Sequence, residues 1–99
     1  MANARKKNAI YVDTAENITV DASNPAILGI LIIPSADNSR VTITESDGGT
    51  IVLDVKIEPT ESRYLDFTGF EGIGVTSTFK VTTLTTAVCI LYGKWYKET

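Results

Sequence analysis

The segment Val41–Ile57 reads VTITESDGGTIVLDVKI and contains the clearest fold signal in the chain. Val41 and Ile43 alternate with threonines before its centre, and apolar side chains again occupy every second position after it. This period of two is typical of strands with one buried and one solvated face. Asp47-Gly48-Gly49 at the centre tolerates the positive φ angles of a tight turn. The segment therefore predicts a β-hairpin, whose second strand buries Ile51, Leu53, Val55 and Ile57.

Shorter segments with the same period occur on both sides of this hairpin. They are rich in threonine, valine and isoleucine, which favour strands. We predict strands within 9–13, 17–21, 26–33, 63–67, 79–82 and 87–92. The sequence contains no periodic helical segment of useful length, and 69–75 indicates a turn and bulge region. About eight short strands separated by turns predict an all-β fold, an antiparallel β-sandwich resembling a jelly roll.

Two of the predicted strands are apolar on both faces. In Ala26–Ile33, the pattern assigns Leu28, Ile30 and Ile32 to one face, and to the other face Ile27, Leu31 and Ile33. In Ala87–Tyr92, Val88, Ile90 and Tyr92 alternate with Cys89 and Leu91. A sandwich strand buries only one face, so something else must cover the other. A loop of the same chain and a second subunit are the two interpretations, and a monomer exposing such a surface would risk aggregation.

Length and composition limit the domain organisation. The chain has 99 residues, a formal net charge of −3 and 43% hydrophobic residues, which is typical of one ordered domain. We expect a flexible basic arm over residues 1–8 and a single domain over 9–99. No apolar run is long enough for a signal peptide or a membrane span. The acidic balance makes nucleic acid an unexpected partner.

The residue inventory gives little support to catalysis or metal binding. The chain has no histidine, which removes the commonest general base and metal ligand. Its one cysteine, Cys89, lies in the most apolar strand, where burial disfavours the thiolate. Oxygen-rich segments such as Asp37-Asn38-Ser39 are explained by turn formation. We therefore expect no enzyme activity, no cofactor and no metal site.

The two ends of the chain, the first basic and the second aromatic, are candidates for contact with a partner. Arg5, Lys6 and Lys7 give the amino-terminal arm a positive charge that would suit an acidic neighbour. Trp95 and Tyr96 lie between lysines after the last predicted strand, and such aromatics are enriched at interfaces. Packing of this end on its own domain, or stacking on a ligand, are the alternatives. The outward side of the 26–33 strand is a third candidate surface. The predicted partner-contacting residues are therefore Arg5, Lys6, Lys7, Ile27, Leu31, Ile33, Trp95 and Tyr96.

The sequence resembles the small single-domain β proteins of tailed bacteriophage particles. The resemblance covers residues 9 to 93 and lies in the general residue pattern of two segments. These are the hairpin at 41–53 and the closing apolar strand Ala87-Val88-Cys89-Ile90-Leu91-Tyr92. In that group, head decoration or cement proteins are β-sandwiches or jelly rolls, often trimeric, and bind where capsid subunits meet. The group has no catalytic residues to carry over.

The resemblance implies a virion structural protein that binds and stabilises the phage head. Its expected partners are further copies of itself, with a trimer favoured, and the major capsid protein of the same particle. Its expected location is the capsid surface, after assembly in the host cytoplasm. A neck, tail or head-fibre component is the nearest alternative. A carbohydrate-binding or adhesin module is the alternative from a different functional class.

Overall fold

The period-two pattern of the sequence gives strands throughout the described part of the chain. The computed structural model describes residues 4–5, 9–20, 22–45 and 50–95. The strands are β1 Ala4–Arg5, β2 Ala9–Val12, β3 Asn17–Thr19, β4 Ala26–Pro34, β5 Ser39–Glu45, β6 Ile51–Ile57, β7 Arg63–Asp66, β8 Ile73–Gly74, β9 Thr78–Thr85 and β10 Ala87–Lys94. A 3₁₀-helix over Thr68–Phe70 precedes β8. The prediction of an all-β fold is confirmed.

The strands form two antiparallel sheets that pack together. The first has six strands in the order β1-β2-β10-β4-β7, with β8 also paired to β4, and the second has the order β3-β9-β5-β6. The chain crosses between the sheets at each step except at the β1–β2, β5–β6 and β7–β8 connections. Apart from the two-residue strands β1 and β8, the other eight strands of the described chain follow this alternation in the double-sheet arrangement of a jelly roll. The predicted sandwich architecture is therefore present.

The core lies between the sheets and consists of alternate side chains from the long strands. β10 contributes Cys89 and Leu91, both fully buried, as the sequence pattern predicts. The largest buried side chains of the other segments surround them: Ile10, Val12, Ile27, Ile30, Ile32, Val41, Ile43, Ile57, Phe79, Val81 and Trp95. The centre of this core is apolar, and the buried Ser39 donates its hydroxyl hydrogen to the backbone oxygen of Ala36 or Thr86, at 2.8 and 2.9 Å. The other buried polar side chains, Thr42 and Thr44, are hydrogen-bonded to Asp54 and Thr82, so each polar side chain that is buried in the described residues has a partner.

The predicted hairpin is formed by β5 and β6, and its turn residues 46–49 lie outside the described residues. The backbone N–H of Glu45 donates to the oxygen of Thr50 at 2.9 Å, which joins the two strands next to the turn. The prediction for Ile51 is wrong, since this side chain is 62% exposed. Thr44 pairs with Ile51 and Ile43 pairs with Leu53, so Val52 is an extra residue. This bulge turns Ile51 to the solvated face.

A second bulge corrects the predicted faces of β4. Gly29 pairs with Tyr92, whereas Ile27 pairs with Gly93, so Leu28 is the extra residue on β4. Ile27 therefore joins Ile30 on the core side and is fully buried. The alternation predicts Ile27 on the outward side because it assumes an uninterrupted strand, and one inserted residue reverses every position beyond it.

The amino-terminal segment predicted as a flexible arm is in part a strand. Ala4 pairs with Tyr11 and Arg5 pairs with Ile10, which makes β1 an edge strand of the larger sheet. The remaining residues of the predicted arm, 1–3 and 6–8, lie outside the described residues.

Candidate functional site

A row of four side chains crosses the outward surface of the six-stranded sheet. Ile90 on β10 pairs with Tyr11 on β2 and with Leu31 on β4, and Leu31 pairs with Tyr64 on β7. Directly paired residues of antiparallel strands project to the same face. Because Ile30, next to Leu31 in β4, is buried in the core, the row projects away from the core. Four strands thus contribute one continuous apolar row.

Two flanking rows widen this surface. On one side Ile33 pairs with Val88, and on the other Tyr92 pairs with Gly29 and Ala9. We name the combined surface the apolar face and define it by the side chains Tyr11, Leu31, Ile33, Tyr64, Val88, Ile90 and Tyr92. None of these side chains carries a charge, although Asp66 pairs with Gly29 at the margin.

The apolar face is open to solvent along its length. Tyr64 is 52% exposed, Ile33 39% and Tyr11 37%, and the other four members are half-buried. Among the described residues, three of the four exposed large hydrophobic side chains lie on this face. Within the described residues, the segment around Gly72 lies beside Leu28 at one end of β4, whereas Ile33 at the other end is exposed, so a loop of the same chain covers β4 only in part.

Two tyrosines of the apolar face are in contact. The rings of Tyr64 and Tyr92 lie with their centroids 6.1 Å apart and their planes at 70°, an edge-to-face arrangement. This geometry places the positive edge of one ring against the negative face of the other and is favourable beyond burial alone. The contact holds Tyr64 against the sheet although β7 is an edge strand of only four residues.

The outward surface of the four-stranded sheet has the opposite character. The guanidinium of Arg40 donates two hydrogen bonds to Asp54, at 2.9 and 2.7 Å, and the Thr42 hydroxyl donates a third at 2.9 Å. The hydroxyls of Thr44 and Thr82 lie 2.7 Å apart and are hydrogen-bonded. This surface is largely polar, with Ile51 as its large exposed hydrophobic side chain, so the two outward surfaces differ in physical character.

The Arg40–Asp54 pair also affects ionisation. Hydrogen bonds from Arg40 and Thr42, together with the nearby positive charges of Arg40 and Lys56, lower the pKa of Asp54 to about 2. The same hydrogen bond and charge raise the pKa of Arg40. Asp54 is therefore a carboxylate across the neutral and mildly acidic range.

The structure brings together two of the residues predicted to contact a partner. Leu31 and Ile33 both lie on the apolar face. Ile27 and Trp95 do not, because their side chains are buried in the core at 0% and 1% exposure. A partner cannot reach either side chain in this structure, so the interface prediction is corrected for these two positions.

Trp95 packs on its own domain, which is the alternative that the sequence leaves open. β10 extends to Lys94, and the alternation Cys89, Leu91, Gly93, Trp95 continues on the core face. The ring centroids of Trp95 and Phe79 lie 5.5 Å apart, and the indole Nε1–H donates to the backbone oxygen of Leu91 at 3.0 Å. Gly93 makes this possible, since a β-carbon there would collide with the indole ring.

The remaining predicted contact residues are at the chain ends. Arg5 lies on the edge strand β1, and the predicted contact residues Lys6, Lys7 and Tyr96 lie outside the described residues. Their predicted roles stay predictions.

Sequence reasoning missed five members of the apolar face as contact residues. Val88, Ile90 and Tyr92 could have been identified, because the pattern of β10 already separates them from the core-facing residues. Tyr11 and Tyr64 carry no such signal, since β2 and β7 become neighbours of β10 and β4 only through long-range pairing.

Outside the apolar face, the described residues offer few groups that could react or bind a ligand. Burial raises the pKa of the Cys89 thiol to about 12, which keeps it protonated and unreactive. An open groove of about 770 Å³ lies at one end of the sandwich, and its charged lining residues are Glu45, Glu71 and Lys94. The Thr76 hydroxyl donates to Glu45 at 2.8 Å. Nowhere in the described ranges do three carboxylate or thiol groups gather as metal ligands would.

Comparison of the chain with protein-family models, with curated proteins and with solved structures gives no match. The described part of the chain includes no helix whose length and hydropathy would let it cross a membrane. The apolar face is therefore the candidate site on geometric grounds.

Proposed function

We propose that this protein is a structural, adhesive component of a particle, and that its apolar face packs against further copies of the same chain. The observation that carries the proposal is the uncharged row Tyr11–Ile90–Leu31–Tyr64, which four strands hold in register and the described residues leave uncovered. Transfer of such an apolar surface out of water is favourable and drives association.

The size of the apolar face suits the centre of an interface. Strands about 4.8 Å apart and side-chain rows about 7 Å apart give a patch of roughly 400 Å². Each partner in an interface of standard size contributes about 800 Å². The apolar face is then the water-excluded centre, and polar residues around it complete the contact. A trimer is the favoured assembly, with three apolar faces around one axis.

We propose the surface of a phage head as the place of this assembly, in the role of a capsid decoration protein. Two observations support it: the resemblance to small β proteins of tailed phages, and the jelly-roll strand order, an arrangement also found in viral capsid domains. The second support is an analogy at the level of fold. The proposed partner is the major capsid protein, and neither nucleic acid nor a membrane takes part. Neck, tail and head-fibre positions in the same particle are the alternatives.

The mechanism of a decoration protein would be adhesion at several points. An oligomer that touches several capsid subunits gains avidity of about 10² to 10⁴ over one contact. Binding to the mature lattice and not to its precursors stabilises that lattice by mass action. Such a role requires a rigid domain and a complementary surface, and it requires no reactive group.

A second candidate is a carbohydrate-binding or adhesin module. The observation that favours it is the presence of three tyrosines, Tyr11, Tyr64 and Tyr92, on one face of a β-sandwich. Aromatic rings offer an apolar body and a hydroxyl, which suits contact with sugar rings. Trp95, the strongest aromatic candidate in the sequence, is buried and does not contribute.

One pair of measurements separates the two candidates. Light scattering of the purified protein gives its mass, and a glycan array reports sugar binding. The adhesive proposal expects an oligomer and no glycan specificity, whereas a monomer with specific glycan binding would replace it with the second candidate. Neighbouring genes for a major capsid protein and a portal would support the location in a virion, and a metabolic gene cluster would contradict it.

A further inference from the structure

The four-stranded sheet ends in an open edge that the proposed function does not use. β6 has seven residues and, within the described chain, pairs only with β5. The opposite edge of this sheet, β3, has three residues, and the β7 edge of the other sheet has four. An edge strand presents unpaired N–H and C=O groups to which another chain can bond. β6 therefore offers the longest such template in the described residues.

The hydrogen bonding of the hairpin identifies which groups face this open edge. The N–H of Asn38 donates to the oxygen of Glu58 at 2.8 Å, so the backbone of Glu58 points to the β5 side. Residues of an antiparallel strand point alternately to one neighbour and to the other. Lys56 and Asp54 lie two and four residues before Glu58, so their backbone N–H and C=O groups also point to β5. There Lys56 pairs with Arg40, and Asp54 pairs with Thr42.

The intervening residues Leu53, Val55 and Ile57 point their N–H and C=O groups away from β5. Their side chains face the core, yet Leu53 and Val55 are only half-buried. The facing edge strand of the other sheet, β7, is short and exposed except for Leu65, which is itself half-buried. The sandwich is thus incompletely closed along β6, and an added strand would cover these side chains.

We propose that β6 pairs antiparallel with β6 of a second copy, about a two-fold axis at Val55. This register aligns the three outward-pointing residues of each copy with those of the other, so that Val55 meets Val55 and Leu53 meets Ile57. It also places Asp54 directly opposite Lys56 of the second copy, and the symmetry produces this pair twice. Opposite charges at directly facing positions stabilise antiparallel pairing.

Charge and backbone chemistry select this register over its neighbours. A shift of the axis to Ile57 would set Pro59 opposite Val55, and Pro59 has no N–H to donate. A shift to Leu53 would set Asp54 opposite the uncharged Val52. Asp54 Oδ1 accepts from Arg40 and Thr42, whereas Oδ2 accepts from Arg40 alone, so Oδ2 keeps a lone pair that the Lys56 ammonium of the second copy can approach. The second copy is therefore the occupant that this edge fits.

The first test measures self-association by sedimentation equilibrium in an Ile33→Glu background, which removes the apolar face from the result. We expect a monomer–dimer equilibrium. Lys56→Glu should weaken the dimer by about tenfold or more, because two attractive pairs become repulsive. Lys80→Glu is the matched control, since it makes the same charge change on β9 of the same sheet, away from the edge, and should leave the dimer unchanged. A monomer at every concentration, or equal effects of the two variants, would overturn the proposal.

A second test uses the same Ile33→Glu protein without a change in β6. Amide hydrogen exchange at Val55 should slow as protein concentration rises, because its N–H becomes bonded only in the dimer. The amides of Asp54 and Lys56 are bonded to β5 in both states and should be protected at all concentrations. Exchange at Val55 that does not depend on concentration would contradict the pairing.

Discussion

The ring of Tyr64 lies over the backbone of Gly29, in the space that a β-carbon at position 29 would occupy. A β-carbon built on Gly29 would collide with the Tyr64 hydroxyl and come within 2.9 Å of its ring carbon Cζ. Glycine in the middle of a strand weakens it unless another group approaches closely. Here the approaching group is the tyrosine that ends the central row of the apolar face, so Gly29 leaves room for the hydroxyl end of Tyr64 against the sheet.

Gly29→Ala should lower the free energy of unfolding by about 0.5–1.5 kcal/mol, because the added methyl displaces the hydroxyl end of Tyr64 and with it the edge-to-face contact with Tyr92. Chemical denaturation measures this change. In a Tyr64→Ala background the same substitution should cost much less, since the colliding ring is gone. Gly74→Ala is the control, because a β-carbon there meets no atom within 4 Å. An equal cost of Gly29→Ala in both backgrounds would contradict the proposed collision.

Trp95→Ala should destabilise the domain by about 3–5 kcal/mol, as expected for the loss of a large buried side chain. Trp95→Phe should cost less, because it keeps a ring against Phe79, although the Leu91 oxygen loses its donor. Urea unfolding followed by circular dichroism gives both values. The oligomeric mass of Trp95→Phe should equal that of the wild type, and a change in mass with little loss of stability would place Trp95 at an interface instead.

The stability of the protein should fall in acid partly through Asp54. Its pKa is about 2 in the folded chain, below the ordinary value of about 3.9, so the ionised group stabilises the fold above that ordinary value. This contribution is lost as the pH falls from about 4 towards 2. Denaturation at a series of pH values should show the wild type more stable than Asp54→Asn at neutral pH, with the difference shrinking over that interval.

Arg40→Lys provides the matched comparison for this pH dependence. Lysine keeps the positive charge but cannot donate the two parallel bonds that Arg40 gives to Asp54. The pH-dependent part of the stability should be smaller in this variant than in the wild type. A difference between wild type and Asp54→Asn that is the same at pH 7 and pH 2 would mean that the pair does not act through ionisation.

The sequence predicts the strands well, but it does not predict where alternation is interrupted. Strand formation depends on local patterns, which the chain displays clearly from Val41 to Ile57. The bulges at Leu28 and Val52 are properties of paired strands, and each reverses the face of a neighbouring residue, Ile27 and Ile51. An alternation continued past Tyr92 would have assigned Trp95 to the core.

The candidate site was predictable only in its centre. The sequence shows that β4 and β10 are apolar on both faces, which indicates a covered surface around Leu31 and Ile90. Their adjacency, and the tyrosines that β2 and β7 add on each side, depend on pairing between segments far apart in sequence. Such pairing is set by the packing of the whole sandwich, and no local pattern encodes it.

The central claim is that the apolar face is a contact surface between copies of the chain. Sedimentation equilibrium of Ile33→Glu, compared with Asn17→Glu, tests it most directly. Both variants place a carboxylate at an exposed position, one on the apolar face and the other on β3, at the edge of the second sheet that lies opposite β6. We predict that Ile33→Glu reduces the assembled mass while Asn17→Glu leaves it at the wild-type value. A wild-type chain that is monomeric, or two variants with the same mass as the wild type, would contradict the claim.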